Sequence, residues 1–160
     1  MARKIYLQHK CSAIIAIGGG SVIDCAKAAA GGTVNPGKSI VRLAGYQKVR
    51  KKVPVIIAVP TTAGTGAEAT ACAVIKDDIT GVKKIIADTK IVPRYAVLDP
   101  VMTARMPGYL TAYTGMDALT HATESYLNKY SSEVSRANAQ AAVNLIIKNI
   151  IPAYYKTGGI

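Results

Sequence analysis

No apolar run in this 160-residue chain reaches the ~18 residues that a membrane-crossing helix needs, so no membrane partner is expected. The opening stretch, MARKIYLQHKCS, is positively charged. No apolar region with a small-residue cleavage site follows it, so no signal peptide is expected. Cysteine is scarce. Cys11, Cys25 and Cys72 are odd in number and form no C-x-x-C pair, which argues against a disulfide framework and fits reduced thiols in a cytoplasmic protein. Each is expected to be a small buried hydrophobe. There is no internal repeat and no low-complexity tract. Acidic residues are few, nine against twenty basic ones, and the formal net charge is +11. That balance suits an anionic partner or cofactor. The densest basic run, Lys48 to Lys52, carries no interleaved aromatics. No helix-turn-helix, zinc-finger or RNA-binding signature accompanies it. It reads as a solvated loop, and no nucleic-acid partner is expected.

What is present is a globular α/β pattern, with 50% of the residues hydrophobic. Residues 12–17 form a short apolar run, consistent with a buried strand. Residues 21–30 place Val22, Ala26, Ala29 and Ala30 on one helical stripe, with Gly31-Gly32 expected to end the helix. Val53 to Val59 is a second β-rich run, followed by the turn-rich loop Pro60 to Gly66. Ala71 to Ile75 and Lys83 to Ala87 read as a strand pair around a hairpin, and Tyr95 to Leu98 as a further short strand. After Pro107 the character changes to helix. One helix is expected over about Tyr109 to Asn128. A second starts from a Ser131 or Ser132 cap and is ended by Pro152, with Val134, Ala137, Ala141, Leu145 and Ile147 near helical spacing. Two regions follow, an α/β region over residues 1–105 and a helical region over residues 106–160.

The stretch Gly18-Gly19-Gly20-Ser21-Val22-Ile23-Asp24 sits between the first strand and the first helix. A helix N-terminus has unpaired amides and a partial positive charge, and glycines let a phosphate approach that backbone closely. Ser21 can cap the helix or donate its hydroxyl, and Asp24 falls near the first turn, where a carboxylate suits the dipole. Lys27, one turn on, could contact an anion or stay solvated. The stretch therefore reads as a polyphosphate cradle or as a tight βα turn without ligand. It is not a P-loop, because no Gly-Lys-Ser/Thr follows. Gly64-Thr65-Gly66-Ala67-Glu68-Ala69 mimics a dinucleotide fingerprint but leads into a strand, not a helix.

A second constellation is Gly115-Met116-Asp117-Ala118-Leu119-Thr120-His121. Asp117 and His121 stand four apart in a helical segment and share one face, with Glu124 three further on. Carboxylate oxygen plus imidazole nitrogen makes half of a metal site, and a solvated Asp–His pair is the other reading. His9, the other histidine, lies at the far end of the chain.

Together, AIGGGSVIDCAKAAA, VPTTAGTGAEAT, AVLDPVMTARMP and LTAYTGMDALTHATESY resemble the iron-dependent (group III) alcohol dehydrogenase family, in the family's order and approximate spacing. The resemblance implies a Rossmann-like nucleotide-binding region followed by the start of an all-helical domain, in a dehydroquinate synthase-like fold truncated at both ends. It implies NAD or NADP held at Gly18, Gly19, Gly20, Ser21 and Asp24. Further cofactor contacts are implied from Thr61, Thr62 and Thr65 near the nicotinamide, from Lys83 at the ribose and from Leu98 near the adenine. It implies Fe2+, or Zn2+, at Asp117 and His121, with two further histidines of the family absent here.

The implied reaction is hydride transfer between an alcohol or aldehyde and the nicotinamide, with the metal as Lewis acid. With half the metal ligands, the isolated chain is expected to have little or no activity. The alternatives are a non-catalytic nucleotide-phosphate-binding chain and an interaction chain that supplies this segment to a partner. Uncovered strand edges and helix faces lead to the expectation of a homo-oligomer.

Overall fold

The computed structural model describes residues 1–156; the last four residues of the expected helical region lie outside the described residues. The chain divides into two compact units. The first comprises Met1–Thr61 and Gly66–Asp99, and the second Thr62–Thr65 and Pro100–Ile160.

The first unit is built around one helix held between two small sheets. Helix α1 (Ala2–Gln8) leads into strand β1 (Ala13–Gly18), then helix α2 (Gly20–Thr33), strand β2 (Gly45–Tyr46) and strand β3 (Val55–Pro60). Strands β4 (Cys72–Lys76), β5 (Lys83–Ala87) and β6 (Tyr95–Ala96) follow. One sheet has the order β1-β3-β6 and is parallel throughout; the other has the order β2-β5-β4, with the β4–β5 hairpin antiparallel. The β1–β3 pairing runs in register from Ala13↔Val55 to Gly18↔Pro60, so both strands end at the same level.

Helix α2 explains the architecture. Ile23 and every residue from Ala26 to Gly32 are buried. Ile23 and Ala26 pack with Ala16, Ala58 and Ala67 on the parallel sheet. Ala28 packs with Leu43, Val49, Ala73, Ile86 and Ile91 toward the second sheet. A helix buried on two sides needs small residues, and the AAAGG run supplies them. This packing carries the helix through Gly31-Gly32 to Thr33, past the expected stop. Ideal Cβ atoms on Gly32 would lie 3.1 Å from Arg3 Cδ and 3.2 Å from Ile40 Cγ1, so close packing accounts for the glycine there. Val22, expected on the buried stripe, is exposed.

The basic run is a solvated loop pinned at one point. Lys48, Arg50, Lys51 and Lys52 are exposed, whereas Val49 is buried and its N–H donates to Asp88 Oδ2 at 2.9 Å. The three cysteines are free and exposed, which corrects the expectation of buried thiols. Cys11 follows α1, Cys25 sits on the one open side of α2, and Cys72 begins an edge strand, so none reaches a core.

The second unit is helical. A short α3 (Pro100–Thr103) precedes α4 (Gly108–Leu127) and α5 (Glu133–Lys156). Ser132 caps α5, its Oγ accepting the Ser135 N–H at 3.1 Å. Pro152 lies inside α5 and does not end it. It is exposed, so water can take the carbonyl that its missing N–H leaves free. Helices α4 and α5 approach closely where side chains are absent: a Cβ on Gly115 would meet Ile150 Cδ1 at 2.8 Å. Among the described residues only Met106, Ala122 and Ala139 of this unit are buried, and Val134, Leu145 and Ile147 are exposed. The expected apolar stripe of α5 is therefore uncovered.

Candidate functional site

Strand β1 runs straight into α2 through Gly18 and Gly19. Gly18 has φ +157°, and a Cβ there would sit 2.7 Å from Val22 Cβ, so only glycine lets the helix start this close to the strand end. Gly19 is the N-cap residue of α2, and its carbonyl accepts the N–H groups of Val22 at 3.0 Å and Ile23 at 3.2 Å. No side chain among the described residues caps this helix. Ser21 lies in the first turn, exposed, and does not cap. The first-turn amides are left open, with the positive end of the helix dipole behind them. Thr61 closes the other side, its N–H donating to Gly18 O at 3.0 Å. The turn thus lies just beyond the carboxyl ends of two adjacent parallel strands, where open parallel sheets bind ligands. This arrangement fits a diphosphate, and it brings Gly18, Gly19, Gly20, Ser21 and Thr61 together.

The remaining predicted cofactor residues of this unit stand elsewhere. Asp24 lies in the second turn of α2, because the helix begins at Gly20, and its Oδ2 accepts the Val74 N–H at 2.9 Å. Burial raises its pKa, against the opposing pull of the Val74 hydrogen bond and of Lys27. Lys83 is exposed on β5, directly opposite Lys76 of β4. Leu98 follows β6 and is 70% exposed.

Lys27 was not predicted as a site residue, and its solvated reading is corrected: it is fully buried. Its Nζ donates to Thr70 O at 2.8 Å, Thr70 Oγ1 at 2.9 Å and Cys72 O at 3.0 Å, and lies 3.9 Å from Asp24 Oδ1. Burial lowers its pKa, partly offset by Asp24, Cys72 and Glu68. No local pattern marks this burial, because the partners Thr70 and Cys72 lie 43 and 45 residues away in the sequence.

In the second unit, Thr62 and Thr65 belong to a short loop with Gly64 at φ +153°. A Cβ on Gly64 would run into the Thr114 carbonyl, so the loop lies flat on α4. Asp117 and His121 share a face of α4, with Nε2 3.8 Å from Oδ1 and both side chains about half exposed. One oxygen and one nitrogen donor at this distance fit a divalent cation as half of a coordination set. Glu124 is exposed on the same helix, and no group of three or more His, Cys, Asp or Glu able to hold a metal occurs among the described residues. An apolar cavity of about 360 Å³ between α4 and α5 is lined by Ala63, Met106, Leu145, Ile150 and neighbours, without Asp117 or His121.

Comparison with known proteins matches two family profiles. "Iron-containing alcohol dehydrogenase" covers residues 1–100, and "Fe-containing alcohol dehydrogenase family, C-terminal" covers residues 111–158. The chain is 43% identical over 142 residues to the NAD-dependent methanol dehydrogenase of Bacillus methanolicus, which covers 89% of this chain and 37% of that protein. It is 40% identical over 140 residues to the probable alcohol dehydrogenase EutG of Salmonella typhimurium, covering 88% and 35%. Among solved structures, 1,3-propanediol oxidoreductase superposes with a TM-score of 0.88 at 35% identity, over 96% of this chain and 40% of that one. Sulfoacetaldehyde reductase from Bifidobacterium kashiwanohense, in complex with NAD+, superposes with a TM-score of 0.85 at 34% identity, over 97% and 42%. The chain therefore spans well under half the length of these relatives.

Proposed function

The chain belongs to the iron-containing alcohol dehydrogenase family, and from that premise we propose that it carries the dinucleotide-diphosphate element and half of the metal set of an NAD(P)-dependent alcohol dehydrogenase. The observation that supports this most is the uncapped start of α2 at the carboxyl ends of β1 and β3. The amides of Gly20 and Ser21 bind the diphosphate, and the Thr61 N–H holds the turn in shape. Thr62, Thr65, Lys83 and Leu98 are assigned to the rest of the cofactor, and Asp117 and His121 to the metal. Divalent iron or zinc supplies Lewis acidity toward an alcohol or aldehyde oxygen, and the nicotinamide supplies the hydride carrier. With two donors from this chain, the isolated chain has little or no dehydrogenase activity, and its place of action is the cytoplasm.

Calorimetry with NAD+ tests the diphosphate assignment through Ser21→Asp. An exposed carboxylate in the first turn suits the helix dipole, so the fold is held or strengthened. The same carboxylate repels a diphosphate, and affinity falls at least about tenfold. Unchanged NAD+ affinity in this variant contradicts the assignment.

A second reading, that of an interaction chain, draws on a different observation. The face of the parallel sheet turned away from α2 exposes Ile15, Ile17, Val55 and Tyr95. Parallel sheets bury both faces. Association into a homo-oligomer covers this surface, and the solution mass measured by light scattering checks it.

A further inference from the structure

Among the described residues strand β4 is an edge strand: its order in the sheet places β5 on one side and no strand on the other. In an antiparallel strand, the N–H and C=O of one residue point to the same side, and the side alternates along the chain. Cys72 and Val74 therefore offer their backbone groups to the same edge. Helix α2 meets that edge with two side chains set one turn apart, about 4.5 Å along its axis. The Asp24 carboxylate accepts the Val74 N–H at 2.9 Å, and the Lys27 ammonium donates to Cys72 O at 3.0 Å. Lys27 also holds Thr70 through its carbonyl and its hydroxyl, at 2.8 and 2.9 Å. An acceptor and a donor on the helix thus substitute for a missing neighbouring strand.

We propose that Asp24 and Lys27 are positioning residues of the dinucleotide site, clamping the first two turns of α2 to the open edge of β4 without touching the diphosphate. The inference rests on the diphosphate reading of the glycine turn. Its chemistry is that a carboxylate already accepting a backbone N–H is a poor neighbour for a dianionic ligand, whereas a helix fixed by its second turn presents its first-turn amides at a set place. The clamp also links that turn to the β4–β5 hairpin, which carries Lys83. Two parts of the proposed cofactor site are thereby held in one frame.

The test measures, on the labelled full chain, the amide exchange rate of Val74 without ligand and the NADH affinity by fluorescence titration. In Asp24→Ala, Val74 exchanges at least about tenfold faster while the core amide of Ile56 is unchanged, and NADH affinity falls about tenfold. In Asp24→Asn the amide oxygen still accepts from Val74, and both readings return to within about threefold of the parent. Unchanged Val74 exchange in Asp24→Ala overturns the clamp. Loss of NADH affinity in Asp24→Asn with Val74 still protected also overturns it, because the charge would then be acting on the ligand. If Asp24→Ala does not fold, Asp24→Asn decides by the same two readings. A parent chain that binds no NADH overturns the diphosphate reading and the positioning role with it, whereas the clamp itself stands or falls on the exchange rates.

Discussion

The two units differ in how they hold their functional groups. The first unit buries two apolar clusters on either side of α2, and all four buried polar or charged side chains among the described residues, Lys27, Asn35, Asp77 and Asp88, belong to it. The glycine turn is an extension of that core. The second unit buries three side chains among its described residues and carries Asp117 and His121 on an open helix face. The difference teaches that a diphosphate element of the kind proposed for the glycine turn needs only one layered unit, since backbone amides and a dipole supply its chemistry. A closed metal site takes about four donors, and among the described residues α4 and α5 bring no group of three or more together.

The contrast is sharpest in the cores. Ile23→Ala removes a fully buried side chain between α2 and the parallel sheet and lowers stability by ~3 kcal/mol. Leu145→Ala, on the exposed part of α5, changes it by less than ~0.5 kcal/mol. Urea denaturation of the two variants measures the gap, and equal effects would break the comparison. A smaller effect belongs to the loop of the second unit. Gly64→Ala drives a Cβ into the Thr114 carbonyl and costs ~2 kcal/mol, read as a lowered melting temperature with NAD+ absent.

The smallest effect is the pH dependence of the first unit. Burial would raise the pKa of Asp88, but hydrogen bonds from the Lys90 and Val49 amides and the Lys90 ammonium outweigh it and hold the carboxyl below its ordinary value. Asp77 is lowered chiefly by its hydrogen bond from Lys84. For an acid with a depressed folded pKa, the stabilisation is present above the unfolded pKa and is lost as pH falls through the folded one. Asp24, raised by burial, has the opposite sign, and its contribution is lost as pH rises through its raised value. Denaturation midpoints taken from about pH 5 downward therefore fall with acid, and Asp88→Asn flattens that limb.

Much of this was legible in the sequence. The runs at residues 12–17 and 53–59, the hairpin around Asp77-Asp78 and the long helix ending near Leu127 follow local periodicity, and each forms. The glycine turn was legible as the junction between an apolar strand and a helix, and it forms there. The short α1 and the burial of Lys27 were not. Both depend on pairings distant in sequence: Lys27 meets Thr70 and Cys72, and Arg3 of α1 donates to Lys38 O at 2.9 Å. Local spacing also misjudged Gly31-Gly32, where tertiary packing overrides the weak helix propensity of glycine.

The central claim is that first-turn amides of α2 hold the diphosphate of a dinucleotide. Titrating the labelled chain with NAD+ and following each backbone amide by NMR tests it most directly. The account predicts saturable shifts that are largest at Gly19, Gly20 and Ser21. Shifts that saturate elsewhere while these three amides stay still, or no shift at millimolar NAD+, would contradict it.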